Sequence, residues 1–342
     1  MRRIALTRVF LSLGLTLGAL APALPLAAAD RHPVEIKEWN IPWQDSQPRG
    51  GAGVRPDLVW FAGQTGNYLA RLNPQTGIFS RVDLIDEPGP GGLIVAANGM
   101  VWYAASSRGY IGRYDPQSRT VRHIAMPNAA ASDPRRLAFD HSQKTVWFTV
   151  PTGNIVGRVD IDSAVVDLVG VPTANALPDR IVVAADGSPW VALSGTNKLA
   201  TLDPKTLAMT EHALPRANAR PHGLGFTSDG RLWYVDFAEG YLGVLAPDGE
   251  VTKEWRVPGG KGSHPDALAV DSKDRLWIVE TGSEPNRLAG FDPGTGRFFS
   301  VTRVPSSMPQ GVGTVHDMTY DTGSGQLWFV TDASTIGYAK VN

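Results

Sequence analysis

Short runs of alternating apolar and polar residues fill almost the whole of this chain, and Gly, Pro and Asp turns cut them where no helical spacing of apolar positions develops. One stretch shows the unit. HGLGFTS (222–228) turns at Asp229-Gly230 into RLWYVD (231–236), a loop leads to GYLGVLAP (240–247), and VTKEWRVP (251–258) follows. Each run has the length and β-branched or aromatic content of a strand, so the unit predicts four antiparallel strands.

The unit recurs. Aligned on a Trp, LVWFAGQTGNYLARLNP, MVWYAASSRGYIGRYDP, TVWFTVPTGNIVGRVDI, SPWVALSGTNKLATLDP, RLWYVDFAEGYLGVLAP, RLWIVETGSEPNRLAGFDP and QLWFVTDASTIGYAKV follow one another. Their anchors are Trp60, Trp102, Trp147, Trp190, Trp233, Trp277 and Trp328, spaced by 42, 45, 43, 43, 44 and 51 positions. A β-rich period in the low forties is the mark of a propeller with one four-stranded blade per repeat, and it excludes leucine-rich and helical arrays. The Trp is therefore read as blade core, its broad apolar face packing between neighbouring sheets.

The chain ends fit this scheme. Six outer strands end in Pro, a seventh of the same kind stands at the N-terminus as VEIKEWNIP (34–42), and the last repeat stops after three strands at YAKVN. The expectation is an all-β, seven-bladed β-propeller, closed by pairing of the N-terminal strand with the last blade, so that no sheet edge of an open ring is left unpaired.

Ahead of that strand lies a different composition. Arg2, Arg3 and Arg8 precede an apolar run ending in Ala27-Ala28-Ala29, the pattern of a secretory signal over residues 1–29, with residues 30–342 forming the single propeller domain. The remainder contains no apolar stretch of bilayer-spanning length and no cysteine, so core burial must supply its stability without disulfides, and an exported, periplasmic location is expected. Three of the 32 basic residues lie in the signal segment, against 33 acidic residues elsewhere, so the mature chain carries −4, which argues against nucleic acid as a partner.

The first strand of each blade borders the central channel, and loops at its start form one rim where sites on rigid scaffolds are found. About eleven residues before the Trp stand Arg49, Gly91, Arg135, Asp179, His222, Asp266 and His316; three after it, Asp236 and Glu280 are the only acids. His264 lies two before Asp266 and is expected to face the same way. Titratable groups thus crowd into blades four to seven. They suit a divalent cation held by oxygen and nitrogen ligands, and equally a solvated channel lining.

The repeat phrases VWYAASSRGYIGRYD and VWFTVPTGNIVGRVD, with RPHGLGFTSDGRLW, resemble the virginiamycin B lyase (streptogramin lyase) family along the whole mature chain. The resemblance implies a seven-bladed propeller that opens the ester of a cyclic depsipeptide by magnesium-dependent elimination. It implies His222, in Pro221-His222-Gly223, and Glu280, in LWIVE, as metal-site residues. Where the family has Glu-Pro-His, this chain has His264-Pro265-Asp266, which makes Asp266 the base and His264 a third ligand or catalytic partner. Asp236, Asp179, His316, Arg49 and Arg135 would support them or bind substrate. Two other functions stand beside this one: a non-catalytic propeller docking a ligand or an envelope protein, with Phe237 and Tyr241 on its rim, and a lactonase of the gluconolactonase type, whose six blades the seven Trp phrases count against.

Overall fold

A computed structural model of the chain describes residues 32–55, 57–246, 249–305 and 313–341; the expected signal segment lies outside them. Among the described residues, twenty-eight strands form seven four-stranded antiparallel sheets in a ring. Six blades use four consecutive strands each. In the seventh, Val315–Asp321, Gln326–Thr331 and Thr335–Lys340 are completed by Glu35–Asn40, which pairs with the third strand from Glu35↔Lys340 to Asn40↔Thr335. The closure expected from the sequence is therefore the one found. The same N-terminal segment also reaches the sixth blade, where Val34 N–H donates to Thr302 Oγ1 at 2.9 Å.

The repeated phrase is explained by packing. All seven anchor tryptophans are buried, Trp190 being the most exposed at 8 %. Trp233 packs with Leu268, Ile278 and Phe291 of the following blade, and Trp277 with Met318 and Phe329 of the next. The aromatic residue after the Trp lies over a glycine of the third strand: a Cβ on Gly243 would stand 2.2 Å from the Tyr234 ring, and one on Gly112 or Gly157 would collide equally with Tyr103 or Phe148. The Gly-Arg of the third strand is then accounted for. Glycine admits the ring, and Arg113 and Arg158 lie over Trp102 and Trp147 at 5.7 and 5.8 Å.

One local irregularity matters for function. The inner strands of blades one, two, four, five, six and seven each shift register near their start, as between Pro221↔Asp236 and Leu224↔Tyr234, where one extra residue is accommodated. Such a bulge re-aims side chains beside the channel.

Candidate functional site

The start of each inner strand carries two residues beside the channel, and the sequence pattern points only to the first. Along the phrases Pro134-Arg135-Arg136-Leu137, Pro178-Asp179-Arg180-Ile181, Pro221-His222-Gly223-Leu224, Pro265-Asp266-Ala267-Leu268 and Val315-His316-Asp317-Met318, the position after each expected rim residue holds Arg136, Arg180, Gly223, Ala267 and Asp317. Blades one and two place Gly50 and Gly92 there. The small residues let neighbouring strands approach: a Cβ on Gly223 would be 2.6 Å from Leu268 N, and one on Gly92 2.3 Å from Arg135 O.

Into the space so kept, three blades send charge. Arg136 of blade three and Arg180 of blade four reach across the channel to one oxygen of Asp317 in blade seven, Arg180 Nη1 at 2.6 Å. The other Asp317 oxygen accepts the Gly50 N–H at 2.9 Å. Burial would push the Asp317 carboxyl up, but Arg136, Arg180 and the Gly50 amide outweigh it and hold it far below the usual carboxylate range. Arg136 moves the opposite way: burial disfavours its charge, and Asp317, Asp179 and Asp266 together keep it protonated. Beyond this bridge the channel is a cavity of about 220 Å³ walled by aliphatic side chains such as Leu93, Ile181, Leu224, Leu268 and Met318.

At the rim, His222 and Asp266 meet across blades five and six, with His222 Nδ1 2.9 Å from Asp266 Oδ1. Arg180 Nη2 stands 3.9 Å from the same oxygen. Burial again raises the Asp266 carboxyl, and the His222 hydrogen bond with the Arg180 charge lowers it further, so it remains ionised. Asp179 is tied to Arg136 at 3.5 Å. His316 pairs with Asp332 at 2.6 Å, and Asp332 also faces Arg49 at 3.4 Å. Arg135 is exposed.

Three expectations change. Asp236 and Glu280 lie wholly inside, not at the rim, because the position three after the Trp closes the second strand beneath the loops. Asp236 Oδ1 accepts the amides of Arg220, Ala238 and Glu239 at 2.9, 3.1 and 3.2 Å, so it caps two loops. Glu280 accepts the Gly259 amide at 2.6 Å and faces Arg287 at 3.0 Å as an ion pair without an aligned hydrogen bond. Burial raises both carboxyls despite these partners. His264, third, does not face with Asp266: it precedes the strand in a left-handed conformation, φ 47°, which breaks the two-residue alternation.

His264 joins His222 indirectly. Phe237 is sandwiched between them, its ring centroid 4.4 Å from His222 with planes 14° apart and 4.6 Å from His264 with planes 28° apart. His222, Glu280 and His264, the set implied for magnesium, do not converge: an aromatic ring separates the two imidazoles, and the carboxylate is engaged by the Gly259 amide of the loop before blade six and by Arg287. Among the described residues no three His, Asp or Glu side chains gather in a metal-binding arrangement. No helix among them is long and apolar enough to cross a membrane.

Seven blades with one polar mouth above a charge-bridged channel define a propeller whose site is built from neighbouring blades at the starts of their inner strands. Residues 34–339 match the Virginiamycin B lyase family, and the chain belongs to it. Virginiamycin B lyase from Staphylococcus aureus is similar in structure, with TM-score 0.79 and 22 % identity over 90 % of this chain and 99 % of that one. A catalytically inactive histidine-to-alanine variant of that lyase with quinupristin, at 21 % identity, has the same score over 90 % and 99 %. A streptogramin B lyase structure gives 0.79 and 21 % over 90 % and 98 %. Comparison with curated proteins finds no match.

Proposed function

We propose that this member of the family is an exported lyase that captures a small cyclic ester or depsipeptide at the mouth of blades four to seven and opens it there. One observation carries the reading. The titratable side chains that the blade frame does not need for its own packing, His222, Asp266, Asp179 and His316, stand on one face directly above a channel bridged by Arg136, Asp317 and Arg180. A ligand entering from that face meets His222 and Asp266 at the mouth. Family membership supports an ester-opening chemistry.

The test is thermal melting of the mature protein with EDTA, then with magnesium, manganese, calcium or zinc, each with and without quinupristin and a panel of lactones, followed by product mass. Stabilisation by a cyclic ester and a product of unchanged mass support the lyase. A gain of one water makes the enzyme a hydrolase. No ligand stabilisation and no product returns the molecule to a docking propeller for an envelope partner, and periplasmic fractionation tests the export.

A further inference from the structure

We infer that the channel beyond the Arg136–Asp317–Arg180 bridge is a second binding cavity, entered from the face away from the rim. It takes a small neutral aliphatic molecule that carries one hydroxyl or carbonyl oxygen. Neither His222 nor Asp266 lines it, so it stands apart from whatever reaction occurs at the mouth.

The walls set the apolar part of that ligand. Every blade reaches the cavity, because each inner strand contributes at least one residue to it. Arg136, Arg180 and Asp317 are its only charged lining residues, and apart from Thr319 the rest are aliphatic, Met or Gly. Ile181 and Val182 follow Arg180 along their strand, as Met318 and Thr319 follow Asp317, so the apolar wall extends about 7 Å past the bridge. Thr319 is exposed and marks the end that solvent reaches. The volume of about 220 Å³ holds roughly seven groups of water size at about 30 Å³ each, and an aliphatic cavity of about 150 Å³ already suffices for benzene.

The bridge sets the polar part. Arg180 donates through Nη1 to Asp317 at 2.6 Å and through Nη2 to the His316 carbonyl. Its Nε–H is buried with no acceptor among the described residues, whereas the Arg136 Nε–H reaches Asp179 at 3.5 Å. A buried donor without an acceptor is costly, and a ligand oxygen at the bridge end of the cavity supplies one. Charge decides what kind of oxygen it is. The two guanidiniums already face three carboxylates, Asp317 between them and Asp179 and Asp266 from the rim side at 3.5 and 3.9 Å. No surplus cation is left for an anionic ligand, which would shed its water beside Asp317 without a partner for its charge. A neutral oxygen needs only the one donor. In every sheet the inner strand is an edge strand, and its ladder-free carbonyls accept the proton of a hydroxyl.

The experiment titrates methyl-labelled mature protein with hexanol, butyl methyl ketone and pentanoate, probes of one size, and follows the methyl resonances of Ile181, Leu224, Leu268 and Met318. Saturable shifts of these methyls with the alcohol and the ketone are expected, with a Kd on the order of 1 mM. Pentanoate is expected to bind at least about 10-fold more weakly. Thr319→Trp, which narrows the open end and leaves the bridge intact, is expected to abolish the shifts. Arg180→Lys keeps a cation for Asp317 but removes the Nε–H, and is expected to weaken hexanol binding about 3- to 10-fold. Should that variant not fold, Thr319→Trp still decides the matter. No saturable shift with either neutral probe, or shifts that survive Thr319→Trp, overturns the cavity as a binding site. Pentanoate binding as tightly as hexanol, or hexanol binding undiminished in a folded Arg180→Lys, overturns the ligand class.

Discussion

Two His–Asp pairs face the same mouth and differ in every feature that decides what such a pair can do. His222–Asp266 joins two neighbouring blades, uses Nδ1, and has a carboxylate only 16 % exposed with Arg180 behind it. His316–Asp332 lies within blade seven, uses Nε2, and has a carboxylate 32 % exposed that it shares with Arg49. The first depends on the ring being closed in the correct register, because its partners come from separate sheets. The second is held within one sheet, with only Arg49 of blade one, among the described residues, reaching its carboxylate. A charge pair becomes a positioned chemical group when burial removes the solvent that would screen and reorient it, and the same two residue types at the surface contribute little.

The strongest way to break this contrast is to remove the buried anion on which the first pair ultimately rests. Asp317→Ala strips Arg136 and Arg180 of their common partner and leaves the Gly50 amide unpaired, so a loss of about 3–5 kcal/mol in unfolding free energy is expected by urea titration. Next in size is Asp266→Asn, which keeps a hydrogen-bond acceptor for His222 but removes the charge facing Arg180. A loss of about 1–3 kcal/mol is expected in the same measurement.

Acid should reveal the contrast without mutation. Asp317 and Asp266 both have folded-state carboxyls held below their unfolded values, so their stabilisation is complete above the unfolded pKa of about 3.9 and drains away as the pH falls through it toward the folded value. Urea midpoints between pH 7 and pH 3 are expected to fall steeply below about pH 5 in the unsubstituted protein and less in Asp317→Asn, the two curves drawing together at the acid end. The smallest effect belongs to Asp332→Asn, at less than about 1 kcal/mol and shrinking further in 1 M salt, since the pair it breaks is partly exposed. A loss there as large as that of Asp266→Asn would erase the distinction between the two pairs.

Much of this molecule was legible before its structure. The Trp period, the third-strand Gly and the orphan strand at 34–42 each express a contact within one sheet or between two adjacent ones, and such contacts repeat with the sequence. The rim residues His222, Asp266, Asp179 and His316 were legible for the same reason. Arg136, Arg180 and Asp317 were missed although a signal existed: in the phrase Pro-x-Gly/Ala-Leu, they replace a small residue in three of seven copies. Nothing in the local pattern says that these three replacements meet, because they are brought together across the channel and not along the chain.

The sequence by itself determined the blade count, the closing strand and the ring of inner-strand starts, since hydrophobic alternation and turn residues act over a few positions and each repeat states them again. Tertiary structure alone decided which polar residues face the ligand. Asp236 and Glu280 turned inward to satisfy loop amides and an arginine, Phe237 slid between two histidines, and Asp266 found His222 from the next blade. Those outcomes depend on burial and on partners tens to hundreds of residues apart, which a one-dimensional pattern does not encode.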